Sequence, residues 1–272
     1  MDILLLLFAG AVGGFIAGLV GVGGGIIFGP VLFFYFQAQG ISDPVLTPLT
    51  LGTSLLCTFL AALSGAIAQH RKKAIDWRTA GIAGGFAAVV VTVLTLQVTT
   101  KPWYSKEEFQ VVLGAVLVAV VARTLLKKDS HGDSLSTDGA QRNVGFLALI
   151  GSGAGAIAAA AGVGGGVIMV PAFNSLVRLP LKVAAGTSTT AITLITLIGV
   201  LVYALRGLGA DVPPTASGYV DLQNALLLGL PAMLTARVGV SVAHRINVRW
   251  VRYSFAAFAA AVALKLIWST FG

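Results

Sequence analysis

The sequence predicts an all-α polytopic membrane protein made of two inverted repeats, each a glycine-broken helical hairpin followed by three transmembrane helices. Three observations predict it: apolar residues gathered in blocks of about twenty, a glycine-rich decapeptide that occurs twice, and basic loops that change sides between the halves. Of 272 residues, 57% are hydrophobic and only 10% are charged. A soluble domain carries roughly a quarter charged residues. Most of this surface therefore faces something other than water, and blocks of about twenty residues cross roughly 30 Å of hydrocarbon.

The first block, 3–38, is too long for a single crossing and is interrupted by glycines near its middle, so it reads as a hairpin. Spans follow at 46–68, 77–98 and 109–126 and complete the first repeat, 1–126. The polar stretch 127–143 is a solvated linker by composition. The second repeat, 144–272, has a hairpin at 144–177 and spans at 183–205, 220–243 and 250–271. The start, Met1-Asp2-Ile3, has no basic n-region and reads as a retained membrane segment.

Aligning the two long blocks exposes the repeat. Gly21-Val22-Gly23-Gly24-Gly25-Ile26-Ile27-Phe28-Gly29-Pro30 matches Gly162-Val163-Gly164-Gly165-Gly166-Val167-Ile168-Met169-Val170-Pro171 at seven of ten positions. A Gly-Thr-Ser triplet follows in each half, at Gly52-Thr53-Ser54 and Gly186-Thr187-Ser188. An aliphatic-Asp pair then opens the next span, Ile75-Asp76 and Val220-Asp221.

Loop charge sets the relation between the halves. Residues 70–78 are densely basic and are assigned to the cytoplasm, whereas their counterpart, 206–219, holds one basic residue and is assigned outside. One span later the bias reverses: 99–108 has two lysines and two glutamates, and 244–252 is strongly basic. Corresponding loops on opposite sides are the mark of an inverted repeat. With hairpins at each long block and the N-terminus outside, every basic loop (70–78, 123–142 and 244–252) falls inside, and both termini lie outside. Eight simple crossings would instead leave 244–252 outside, against its charge.

Irregular backbone inside a bilayer leaves polar groups unpaired at several kcal/mol each, so it survives only against protein or a hydrated cavity. At Gly23, Gly24 and Gly25, and at Gly164, Gly165 and Gly166, the chain can take positive φ and start a new helix. The first N–H groups of that helix lack partners, and its dipole adds partial positive charge there. An anion is the natural ligand. The hydroxyls of Thr53, Ser54, Thr187 and Ser188 can donate to anion oxygens beside these glycines, and together these ten residues form the candidate site. The bland alternatives are close helix packing by glycine and hydroxyls bonded back to the preceding turn.

Other residues carry less. Arg123, Arg206, Arg237 and Lys265 lie near predicted span ends and are read as snorkelling to the interface. Asp76 and Asp221 either cap helices or couple protons. His70, His131 and His244 are read as solvated loop residues without metal-ligand spacing, and Cys57 as a packed thiol. The glycine run lacks the last glycine of a dinucleotide fingerprint, no Walker lysine follows it, and no cofactor or metal is implied. The net charge of +8 resides in the loops and does not indicate nucleic acid. The partners implied are the lipid bilayer and a small anion. A channel and an integral-membrane enzyme are the rivals; the spans hold no catalytic cluster of His, Asp, Glu or Cys.

Residues 18–32, their repeat at 159–173 and the Ala-Gly-Thr-Ser at 185–188 resemble the TauE/SafE family, the sulfite exporter or toluene-sulfonate uptake permeases of bacteria and archaea. The resemblance covers both halves except the linker. It implies a plasma-membrane transporter of sulfur-containing anions such as sulfite, sulfoacetate and other organosulfonates, with the glycine runs, Pro30, Pro171 and the two triplets as matching residues. The first triplet departs from the pattern, with Leu51 where the second has Ala185. The residues themselves supply only the negative charge of the cargo; the resemblance supplies its sulfur.

Inversion is open to a labelling test. A cysteine replacing Ser217 should react with an impermeant reagent from outside the cell, and one replacing Asn247 only from inside. Both reacting from one side contradicts inversion.

Overall fold

The computed structural model describes residues 2–100, 105–126 and 143–245. Most of the linker and the predicted span 250–271, with the 244–252 loop from residue 246 onward, lie outside the described residues. So do His131, Asn247 and Lys265, and the side chain of Arg123.

Nine helices form among the described residues, in the order α1 (Asp2–Val20), α2 (Gly25–Ala38), α3 (Asp43–Arg71), α4 (Trp77–Thr100), α5 (Lys106–Leu126), α6 (Val144–Ala161), α7 (Gly166–Ser175), α8 (Leu181–Arg206) and α9 (Leu222–Ala243). Between α8 and α9 a small antiparallel ribbon pairs β1 (Ala216–Ser217) with β2 (Val220–Asp221), an element that the apolar pattern does not reveal. Six of the described helices, α1, α3, α4, α6, α8 and α9, are long and apolar enough to cross a membrane. Large apolar side chains point outward along them, among them Phe8 and Leu149 (each 70% exposed) and Leu234 (68%). Water does not tolerate so broad an apolar exterior, and lipid does. The chain is an all-α, multi-pass membrane protein.

Helix direction follows from the contacts. A Cβ on Gly10, Gly14 or Gly18 would lie 2.0–2.2 Å from the carbonyl oxygen of Leu228, Ala232 or Ala236 respectively, so α1 and α9 are parallel and almost touch backbone to backbone. Gly151 and Gly155 meet Ala83 and Ala87 in the same way, at 2.2 and 2.4 Å, and align α6 with α4. These are small-residue seams of the kind that let membrane helices approach closely. Next to them α3 runs parallel to α9: Cys57 Sγ donates to Ala225 O (3.7 Å), Ser64 Oγ donates to Met233 O (2.5 Å), and His244 Nε2 meets Gln69 Oε1 (3.0 Å). In contrast α2 runs against α3, with Gly25 beside Thr58 and Gly29 beside Ser54. Hence α1 and α2 point in opposite directions across residues 21–24, a helix–turn–helix unit.

The central helices of the two halves, α3 and α8, are antiparallel. Gly65 lies against Thr189 and Gly199 against Leu55, and these two contacts interchange when Gly52 is aligned with Gly186. The buried apolar side chains divide into two clusters. One is built mainly from α1, α2, α3, α5 and α9, the other from α4, α6, α7 and α8. Each cluster therefore mixes the two sequence halves, and α4 and α9 are exchanged between them.

Candidate functional site

The glycine motifs form two turns of the same shape. Gly21, Gly23 and Gly24 have φ of 77°, 88° and 78°; Gly162, Gly164 and Gly165 have 65°, 74° and 79°. L side chains rarely adopt this left-handed region, which explains why glycine recurs at these three places in each motif. Gly24 and Gly165 are the N-terminal caps of α2 and α7, and neither receives a side-chain cap. Inside each new helix the first bonds return to the cap: Ile27 and Phe28 N–H to Gly24 O, and Ile168 and Met169 N–H to Gly165 O. The N–H groups of Gly23, Gly24 and Gly25, and of Gly164, Gly165 and Gly166, donate to no group among the described residues. Each helix end also carries about half a positive charge from its dipole.

The two turns meet. A Cβ on Gly25 would lie 2.6 Å from Gly162 O and from Val163 Cα, and a Cβ on Gly166 would lie 2.7 Å from Val22 Cα and O. The contact is thus reciprocal: the first helical residue of each half abuts the turn of the other. Both turns also face the same two side chains. Gly23 and Gly164 each come within 3.0–3.1 Å, at the Cβ position, of Thr58 Cγ2 and Ile192 Cγ2. Thr58 lies near the middle of the 29-residue α3 and Ile192 near the middle of the 26-residue α8. The turns therefore converge at mid-depth between the two central helices.

The Gly-Thr-Ser triplets have more than one job. A Cβ on Gly52 would lie 2.1 Å from Tyr219 O, and one on Gly186 2.0 Å from Ala74 O, so each glycine admits a loop carbonyl of the opposite half. The next residue fastens that loop: Thr53 Oγ1 accepts from Asp221 N–H (3.0 Å), and Thr187 Oγ1 accepts from Asp76 N–H (2.9 Å). The same aspartates then cap the following helices. Asp76 Oδ1 accepts from Thr79 N–H (3.1 Å) and Asp221 Oδ1 from Asn224 N–H (3.0 Å), while Asp221 Oδ2 accepts from Thr215 Oγ1 and Asn224 Nδ2. Of the two roles open to these aspartates, capping is the one the geometry displays.

The serines differ. Ser54 Oγ donates to Gly162 O across the repeat (3.0 Å), whereas the buried Ser188 Oγ has no partner among the described residues. The candidate residues thus fall into two groups. The glycine turns and Ser54 are brought together, and Thr53 and Thr187 sit where the halves are stapled. Thr58 is absent from the sequence-based set, although counting six residues on from each triplet glycine pairs it with Ile192.

Other assignments shift. Arg237 Nε is held 2.9 Å from Ser64 Oγ on α3 and does not simply snorkel. Arg206 Nε lies 3.4 Å from Thr99 Oγ1. His70 is exposed, its ring edge-on to Trp77. His244, just past α9, is half-buried against Gln69 and not fully solvated; burial, with Lys72 and Lys182 nearby, lowers its pKa. No group of three or more metal-ligating side chains occurs among the described residues.

Residues 6–266 match the family model described as "Sulfite exporter TauE/SafE". The chain belongs to this family. Similar proteins include a probable membrane transporter protein of Haemophilus influenzae (27% identical, covering 97% of both chains) and one of Methanocaldococcus jannaschii (25%, covering 91% of this chain and 89% of the relative). The probable membrane transporter protein YunE of Bacillus subtilis is 26% identical over 92% of each chain. No solved structure matches. As a TauE/SafE protein the chain is a membrane transporter and not an enzyme.

The staples give a stability prediction. Thr53→Val leaves the buried Asp221 N–H, and Thr187→Val the half-buried Asp76 N–H, without its acceptor, at a cost of about 1–3 kcal/mol for the buried one. Either variant should lower the thermal midpoint in detergent by several degrees, while Thr53→Ser should stay near wild type.

Proposed function

We propose that this TauE/SafE protein is a secondary transporter of small sulfur-containing anions, namely sulfite, sulfoacetate or other organosulfonates, across a bacterial or archaeal plasma membrane. The anion binds between the two glycine turns, beside the hydroxyls of the Gly-Thr-Ser triplets. The observation that carries this is the convergence, on one pair of side chains, of two helix N-termini with six uncommitted glycine N–H groups. Such an end favours negative charge and nothing else about it is selective. The description of the matching family favours a sulfur oxyanion over a carboxylate.

In the bilayer the two halves are inverted, with both termini outside and each helix–turn–helix unit entering and leaving on one side. Support comes from the antiparallel run of α3 and α8 and from the fold-back of α2 on α1. Alternating access is a movement of the two apolar bodies against each other around the turns. The units that move are then not residues 1–126 and 144–272 but the mixed clusters, since each holds a helix from the other half.

Purified protein in liposomes should take up labelled sulfite or ethanesulfonate saturably. Ser188→Ala should reduce that uptake several-fold at unchanged thermal midpoint. Saturable flux of acetate with none of either sulfur anion would transfer the site to carboxylates, and the absence of any saturable anion flux would end the proposal.

A further inference from the structure

Where the two glycine turns meet, the approximate two-fold symmetry of the molecule is broken by a single pair of side chains. Thr58 and Ile192 occupy equivalent positions, six residues beyond Gly52 and Gly186, and both are fully buried. Each touches both turns. One brings a hydroxyl and the other a branched hydrocarbon.

The hydroxyl is not spent. Threonines in this protein's helices commonly donate to the carbonyl four residues back, as Thr50, Thr189 and Thr196 do. Thr58 is 0% exposed, yet its Oγ1 has no partner among the described residues. The buried hydroxyls of Thr47, Thr79, Thr95 and Ser188 also lack a partner among the described residues; Thr58 Oγ1 is aimed at a turn, 2.9 Å from the Cβ position of Gly25, the first residue of the 14-residue α2. A buried donor left unmade destabilises the protein, a loss that an oxyanion at this helix end would reverse.

Resting on the anion reading above, we infer that Thr58 is the ligand hydroxyl that fixes the oxyanion head at the α2 end, and that Ile192 forms an apolar wall for the rest of the cargo. The site is therefore polarised across the two-fold. On the α2 side lie the N–H groups of Gly23, Gly24 and Gly25 with Thr58 Oγ1. On the α8 side Ile192 Cδ1 lies 2.7 Å from the Cβ position of Gly166 and covers the equivalent end of α7. Thr196, the next threonine of α8 at this level, spends its hydroxyl on Ile192 O (2.7 Å) and presents its methyl group to Gly164. A cargo matching these walls has a compact oxyanion at one end and a short hydrocarbon at the other. That is an alkylsulfonate more than sulfite, which carries no apolar group. Because the two turns touch, the cargo must part them to enter, and the hydroxyl then takes the place of a contact between turns.

Calorimetric titration of the purified, full-length protein tests this, with ethanesulfonate and sulfite as probes. Thr58→Val should weaken ethanesulfonate binding about tenfold or more at a thermal midpoint no lower than wild type, and Thr58→Ser should bind within about threefold of wild type. Adding Ile192→Thr to Thr58→Val moves the hydroxyl to the equivalent end and should recover most of the loss. Ile192→Thr alone should shift preference from ethanesulfonate towards sulfite. This variant decides the matter if Thr58→Val does not fold. Wild-type affinity in Thr58→Val, or an unchanged preference in Ile192→Thr, overturns the assignment of Thr58 while leaving the anion site standing. Failure of the wild-type protein to bind either probe removes both.

Discussion

Everything else in this fold is arranged around a backbone that cannot satisfy itself. Two turns with left-handed glycines lie at mid-depth among the long apolar helices, each leaving three N–H groups without a partner among the described residues. Lipid cannot supply acceptors, so such turns persist only when protein encloses them. The enclosure is mutual, since each turn is the wall of the other, and α3 and α8 close the flanks with Thr58 and Ile192. The feature that is hardest to enclose is also the one on which the proposed anion site rests, because a positively polarised helix end favours negative charge.

Holding two such turns in register requires the halves to grip each other, and the grip is an exchange. Thr53 of the first half takes the N–H of Asp221 from the second, and Thr187 of the second takes that of Asp76 from the first. The seams work in the same sense: α1 lies on α9, and α6 lies on α4, with glycines bringing the backbones together. Each apolar body is consequently a chimera of both halves. These exchanges keep the two halves of the chain together, and the proposed movement places its boundary at the turns.

Much of this was legible in the sequence, for identifiable reasons. The blocks of apolar residues marked the helices because length and hydrophobicity are what crossing lipid demands. The doubled glycine run marked the turns because only glycine takes those φ values readily. The triplets were seen, but their role was not: that Thr53 and Thr187 bind the backbone of the opposite half depends on which loop arrives there, which spacing along one chain does not encode. Gly52 and Gly186 were seen only as landmarks of the repeat, while each admits a carbonyl of the opposite half, Tyr219 O and Ala74 O. The aspartates carried two meanings in the sequence, and the neighbouring N–H groups select capping. Thr58 was overlooked because a single threonine in an apolar span has no local signature; its meaning comes from standing opposite Ile192.

The meeting of the two turns at an anion site is the claim on which the rest depends. It is tested most directly by cross-linking cysteines placed at Val22 and Val163 in a Cys57→Ala background, using a short bifunctional thiol reagent on protein in liposomes. Rapid cross-linking that abolishes anion flux, and that is slowed by ethanesulfonate, is the predicted result. Absence of cross-linking, or cross-linked protein that transports at the full rate, would contradict it.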